Sequence, residues 1–209
     1  PSVFANNLGR KRLGVALVGL GYYSRDLLAP ALQMTKHCYL AGIVTGSPEK
    51  IPQWQKNYRI ADYNVYNYDN MHQLANNPDI DVVYVVTPTG THKKFTEIAA
   101  NAGKHVWCEK PMAMNEQECQ DMIDACKKAG VHLLVGYRMH FEPKTLEVIR
   151  MRREGEFGKI KFFQGLTGFR SGDPKQWRLN KALAGGGSMM DIGIYSINGM
   201  RYMIGEEPI

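Results

Sequence analysis

The sequence has no apolar run approaching the roughly 20 residues that a membrane-spanning helix needs. It has no Cys-x-x-Cys pair and no His/Cys spacing of a zinc site, which argues against a structural metal. Cysteine is scarce, four in 209 residues. Cys119 and Cys126 are seven apart on a predicted helix, roughly 10 Å along its axis, too far for a direct bridge. They share a stripe with Met122 and Ile123 and read as core thiols, while Cys38 and Cys108 fall at or near strands. A reducing compartment is compatible with this usage. No helix-turn-helix, zinc-finger or RNA-binding signature is present. The net charge of +6 is scattered, apart from Arg150, Arg152 and Arg153 and the pair Lys11 and Arg12. That balance reads as a solvated surface rather than a nucleic-acid face, and it would also suit an anionic phosphate cofactor. Residues 1–12 are short, mixed and partly basic, without the apolar core of an export signal. A cytoplasmic location is expected, with a periplasmic one after signal removal left open.

What is present is an alternation of strand and helix. Apolar runs at 14–18, 39–45, 82–86, 105–108 and 133–137 are expected strands, with a short one near Val65 and Tyr66. Helices are expected over 24–34, after Pro48, over 70–75 and over 91–102. Pro30 should kink or shorten the first. Phe95, Ile98, Ala99 and Ala102 form one apolar face, and Gly103 stops that helix. Asn115 with Glu118 opens the next as a variant capping box. Strands spaced in this way imply an α/β fold with a parallel sheet and right-handed crossovers. After Tyr137 the pattern changes. It becomes a charged helix over 144–154, a strand-like stretch over 159–169, a glycine run and a helix over 188–204. The boundary is placed near residue 138. This second region needs further strands, from chain beyond these residues or from another chain.

Gly19-x-Gly21-x-x-Ser24 lies between the first strand and the first helix. The first glycine permits a tight turn, and the second lets the backbone approach a pyrophosphate at the helix N-terminus. Ser24 stands where Gly or Ala is usual, so the helix is expected slightly further off. The end of the second strand reads Thr45-Gly46-Ser47-Pro48-Glu49-Lys50, with no acid at the position that usually accepts from an NAD ribose. Two hydroxyls and a lysine suit a 2′-phosphate, which favours NADP, although Glu49 could still serve a ribose. Thr87-Pro88-Thr89 with His92 can line the nicotinamide end, but a histidine at a helix start is often a cap or a surface residue.

Glu109-Lys110-Pro111 comes directly after a strand. Proline restricts the residue before it, so Lys110 is held where open α/β sheets bind ligands. Asp191 and Tyr195 are four apart on a predicted helix and share a face. Amine, carboxylate and phenol make a workable proton relay if they converge. Tyrosine is a poor base with a reference pKa of about 10, and a nearby Lys110 ammonium is expected to lower it.

These motifs occur in order with Gly136-Tyr137-Arg138 and Gly185-Gly186-Gly187-Ser188…Asp191-Ile192-Gly193. Together they resemble the glucose-fructose oxidoreductase/inositol dehydrogenase/rhizopine-catabolism family, over about 12–209. Trp177-Arg178, Tyr195 and Gly205-Glu206-Glu207-Pro208 are similar to its glucose-fructose oxidoreductase branch. The resemblance implies a Rossmann NADP-binding domain at 10–137 and the start of an α+β domain with an open sheet at 138–209. It implies hydride transfer between NADP and a sugar, with a cofactor that can be held tightly. Lys110, Asp191 and Tyr195 fall at catalytic positions, although the family more often has His at the last. Gly19, Leu20, Gly21, Tyr22, Tyr23, Thr45, Gly46, Ser47, Lys50, Tyr68, Thr87, Pro88, Thr89, His92, Glu109, Lys110, Arg138, Trp177 and Arg178 fall at cofactor or neighbouring contacts. No metal is implied. A homo-oligomer through the open sheet of the complete protein is the implied partner. A freely exchanging NAD(P)-dependent cyclitol or aldose dehydrogenase and a non-catalytic dinucleotide-sensing regulator are the alternatives.

Overall fold

A computed structural model describes residues 12–170 and 172–207. Most of the basic-start reading, including Lys11, and the Pro208 end of the last motif lie outside the described residues. The elements are β1 (Leu13–Val18), α1 (Ala29–Met34), β2 (Cys38–Val44), α2 (Ile51–Tyr58), β3 (Val65–Tyr66), β4 (Val82–Val85), α3 (His92–Asn101), β5 (His105–Glu109), α4 (Glu116–Ala129), β6 (Leu133–Gly136), α5 (Pro143–Arg153), α6 (Lys181–Ala184) and α7 (Ile194–Ile204). Among the described residues no helix is long and apolar enough to cross a membrane.

Among the described residues the sheet has six strands in the order β3-β2-β1-β4-β5-β6, and every pairing is parallel. This is the Rossmann arrangement the strand–helix alternation implies. The central strand β1 is apolar at nearly every position because both its faces are covered. Val15 and Leu17 pack on one side with Leu32 and Trp54. Ala16 and Val18 pack on the other with Phe95, Ala99 and Met122. Cys108 and Cys126 are buried thiols, and no described cysteine is paired. The chain runs outward from β1 to β3 and then returns to β4 on the other side of β1. A crevice therefore opens beyond the carboxyl ends of β1 and β4.

Local departures from expectation have local causes. Pro30 does not end the first helix. A widened π-turn over Ser24–Leu28 precedes it, with the Ala29 N–H bonded to Ser24 O, and Pro30 sits in the first turn of α1, where its missing N–H is tolerated. The helix expected over 70–75 is a 3₁₀ turn over Met71–Asn76. Met71 and Leu74 are both fully buried, and the three-residue period of that tighter turn stacks them directly above one another on its inner side. Asn115 caps α4 by accepting from Glu118 N, but the Glu118 carboxylate returns to Met114 N instead of Asn115 N. The strand-like stretch over 159–169 forms no strand. A strand needs a hydrogen-bonded neighbour, and none stands beside it among the described residues. Phe162, Leu166 and Phe169 are exposed along it. The helix expected over 188–204 begins as a second π-turn, Met189–Gly193, and only then becomes α7.

Gly14 marks the closest approach in the sheet. A Cβ there would lie 1.8 Å from Asp79 O. Gly14 N donates to Asp81 Oδ2 at 2.9 Å, which holds that backbone in place. Gly14→Ala is therefore expected to cost at least about 1–3 kcal/mol by overpacking, read as a lowered denaturant midpoint with unchanged slope. A midpoint equal to the unsubstituted protein's would contradict the packing at β1.

Candidate active site

The crevice holds a cavity of about 1110 Å³. Its floor is the Gly19–Gly21 turn. Gly19 has φ +91°, and a Cβ would stand 2.7 Å from Val86 O, so glycine is required by both conformation and space. Around a Cβ on Gly21 there is only open space, the room that a pyrophosphate needs. Ser24 does not hold the helix off. It is fully buried, and its Oγ donates to Gly19 O at 2.6 Å, tying the turn to the helix.

Of the cofactor positions expected from sequence, all line this cavity except Gly46 and Thr89. Gly46 lies under the Tyr68 ring, where a Cβ would be 2.7 Å from a ring carbon, so its smallness lets Tyr68 form the wall. Thr89 is buried, and among the described residues its hydroxyl has no hydrogen-bond partner. It lies in a turn against α6, because Gly90 next to it approaches Ala182 O. Thr45 Oγ1 accepts from Ser47 N at 3.0 Å, and Lys50 Nζ donates to Leu20 O at 3.2 Å. The second-strand end and the glycine turn are thereby joined. Glu49 is exposed and does not line the cavity.

His92 is neither a cap nor a surface residue. It is buried, with Nε2 2.8 Å from Thr87 O and Nδ1 2.9 Å from Pro111 O, so it ties the loop after β4 to the loop after β5. Burial, and then the Lys110 charge, hold its pKa below the usual value against the pull of those carbonyls. Among the described residues, five basic side chains, Lys50, Lys110, Arg138, Arg170 and Arg178, border the cavity with one carboxylate, Glu109. That excess suits the phosphates of a dinucleotide. Phe169, Arg170, Gln176, Leu27 and Val86 also line it, outside the positions expected from sequence. The first three belong to loops after residue 158, where no periodic signal marks what a side chain faces. Among the described residues no group of three metal-ligating side chains converges.

The three groups of the expected relay do converge. The Lys110–Pro111 peptide is cis. Lys110 Nζ donates to Asp191 O at 2.5 Å and to Asp191 Oδ1 at 3.2 Å. It also lies 4.8 Å from the centre of the Tyr195 ring. Arg178 Nε reaches Asp191 Oδ2 at 3.0 Å and its guanidinium stacks on Trp177 at 4.5 Å. Asp191 is therefore held between two cations. A second cavity, about 580 Å³, shares Lys110, Arg138, Phe169, Arg178 and Tyr195 with the first, and adds Asp191, His140, Ser196 and Asn198. His140 Nε2 bonds Asn198 Oδ1 at 2.6 Å.

One electrostatic expectation is corrected. Tyr195 is not shifted toward phenolate. Its pKa is raised, first by burial and then by the Glu109 charge, with Arg138 opposing. The Lys110 ammonium lies over the ring face and directs two of its three donors at Asp191, so it does little for the hydroxyl. Burial likewise pushes Tyr23 up to about 12.

Residues 13–137 match the profile described as the oxidoreductase family, NAD-binding Rossmann fold, and 145–209 match the GFO/IDH/MocA C-terminal domain. D-xylose 1-dehydrogenase (NADP(+)) of Haloarcula marismortui is 30% identical over 202 residues, 93% of this chain and 55% of that protein. The solved aldose-aldose oxidoreductase from Caulobacter crescentus, complexed with glycerol, superposes with TM-score 0.91 at 48% identity, covering 95% of this chain and 59% of that one. Levoglucosan dehydrogenase with NADH and levoglucosan gives 0.76 at 27% identity, covering 94% and 55%. The chain thus spans just over half the length of these relatives. With one profile matched across its sheet and a second across the region after residue 144, this chain belongs to the glucose-fructose oxidoreductase/inositol dehydrogenase/rhizopine-catabolism family of oxidoreductases.

Proposed function

We propose that the complete protein is an NADP-dependent oxidoreductase acting on a cyclic sugar, with residues 10–137 holding the nucleotide and residues from 138 onward shaping the sugar site. The observation that carries this reading is the meeting of Lys110, Asp191 and Tyr195 where the two cavities join. Relatives whose names print xylose, levoglucosan and paired aldoses support a sugar. The name of one prints NADP(+), which agrees with Lys50 and Thr45 at the second-strand end. NADH in another keeps NAD as the competing cofactor.

The residues present fit a dinucleotide: a glycine turn with room beside Gly21, and a basic cavity wall. When bound, the nicotinamide supplies or accepts the hydride. Leu20, Tyr22 and Tyr23 border the pyrophosphate turn, and Thr45, Ser47, Lys50 and Tyr68 border the adenosine end. Thr87, Pro88, His92 and Glu109 border the nicotinamide end. Tyr195 exchanges the proton of the reacting hydroxyl. Lys110, aimed by Asp191, places positive charge where oxygen charge develops. Asp191 acts by orientation, because both its oxygens are already engaged by Lys110 and Arg178.

Lys110→Met removes that charge. Sugar oxidation by the complete protein is expected to fall by about 100-fold or more. NADPH affinity, followed by nicotinamide fluorescence, should stay within a few fold. Undiminished turnover would refute the assignment.

Lys50→Glu should weaken NADP by about tenfold more than NAD. Equal losses in the two binding titrations would favour NAD.

A raised Tyr195 pKa keeps the phenol neutral at and above pH 7. Sugar oxidation, which needs the ionised phenol, should therefore climb steadily toward alkaline pH. Reduction, which needs the neutral phenol, should stay flat across the same range. An oxidation profile levelling off near pH 7 would assign the base elsewhere.

A further inference from the structure

We infer that Tyr84, which lines neither cavity, is a positioning residue that fixes the Glu109 carboxylate against the nicotinamide end of the dinucleotide cavity. The inference rests on the nucleotide reading above and deepens it. Tyr84 is on β4, paired in register with Trp107 on β5. Glu109 is two residues beyond Trp107, so both point to the same face of the sheet. Gly136 on β6 stands in register beside Glu109. Across this corner the Tyr84 hydroxyl donates to Glu109 Oε1 at 2.5 Å.

Two neighbours make that hydrogen bond possible. The Tyr84 ring meets Trp107 edge-on, with centroids 5.6 Å apart and planes at 85°, which fixes the direction of the phenol. Gly136 supplies the space. A Cβ there would lie 2.9 Å from Glu109 Oε1 and 3.1 Å from the Tyr84 hydroxyl. No positive φ asks for glycine at 136. The close approach of the carboxylate and phenol does.

Glu109 is the cavity's only carboxylate among the described residues and is nearly buried. A carboxylate has about four acceptor sites. Tyr84 takes one from the neighbouring strand and leaves others for a donor on the bound dinucleotide. Without that bond, the side chain is free to turn toward the Lys110 or Arg138 cations. The same donor favours the ionised carboxylate, opposing the burial that raises its pKa.

Tyr84→Phe tests this, because it deletes only the hydroxyl and keeps the ring on Trp107. Two readouts are taken on the complete protein. The first is the titration of the Glu109 carboxyl by ¹³C NMR, assigned with Glu109→Gln. The second is NADPH affinity across pH by fluorescence. In Tyr84→Phe the Glu109 midpoint should move up. NADPH should bind about tenfold more weakly near neutral pH, the scale of one hydrogen bond to a charged group. Its loss of affinity on acidification should begin at higher pH than in the unsubstituted protein. Combined with Glu109→Gln, Tyr84→Phe should add no further loss. An unchanged midpoint with an unchanged binding curve overturns the inference alone. An unsubstituted protein that binds neither NADPH nor NADH overturns the nucleotide reading, and the inference with it.

Discussion

The contact between Lys110 and Asp191 is the constraint on which the site depends. It joins a lysine at the end of β5 to a carboxylate 81 residues later. Lys110 is fixed on one side by the sheet and by the His92 bridge to Pro111 O. Asp191 is fixed on the other by the π-turn and by Arg178. The amine donates to both the backbone and the side chain of Asp191. That double attachment sets an angle as well as a distance between the two regions. The Tyr195 ring lies beneath the ammonium, at the junction of the cavities.

Charge is distributed with the same economy. The cavity walls are basic, yet the cations nearest Tyr195 are already directed. Lys110 and Arg178 share one carboxylate, and Arg138 opposes the rise of Tyr195. Such directed charges do not need to reorganise as oxygen charge develops, which is where electrostatic catalysis gains most. Burial and the Glu109 charge keep the Tyr195 phenol in its protonated form at neutral pH, the form that can give a proton but not take one.

Much of the fold is legible because strands buried on both faces declare themselves as apolar runs, and the glycine turn comes after the first of them. The Lys110, Asp191 and Tyr195 convergence is legible from motif order, not from periodicity. What is not legible has physical reasons. The helix around Pro30 survives through a π-turn, and no side-chain pattern encodes a change of hydrogen-bond register. The 159–169 run has strand composition, but composition does not supply a neighbouring strand. His92 resembles a cap because its spacing reveals nothing about Pro111, 19 residues away. The Tyr195 shift runs opposite to the expectation because the sign of a nearby charge is not enough to set it. The ammonium is near, but it faces the ring instead of the hydroxyl, and burial outweighs it.

The two cavities are built to different tolerances. The first takes most of its wall from the carboxyl ends of parallel strands and the turns that follow them, with Phe169, Arg170 and the 176–178 segment closing one side. The second takes part of its wall from Phe163, Gln164, Gly165, Leu166 and Thr167, on the stretch without strand hydrogen bonds. Substitutions there act on the shape of the second cavity, away from the strand ends that carry Lys110 and the glycine turn. Loop-borne walls on a rigid scaffold are where specificity diversifies at least structural cost. The glycine turn and Lys110 thus stand on the part of the chain least able to vary, and much of the second cavity's wall on the part most able to.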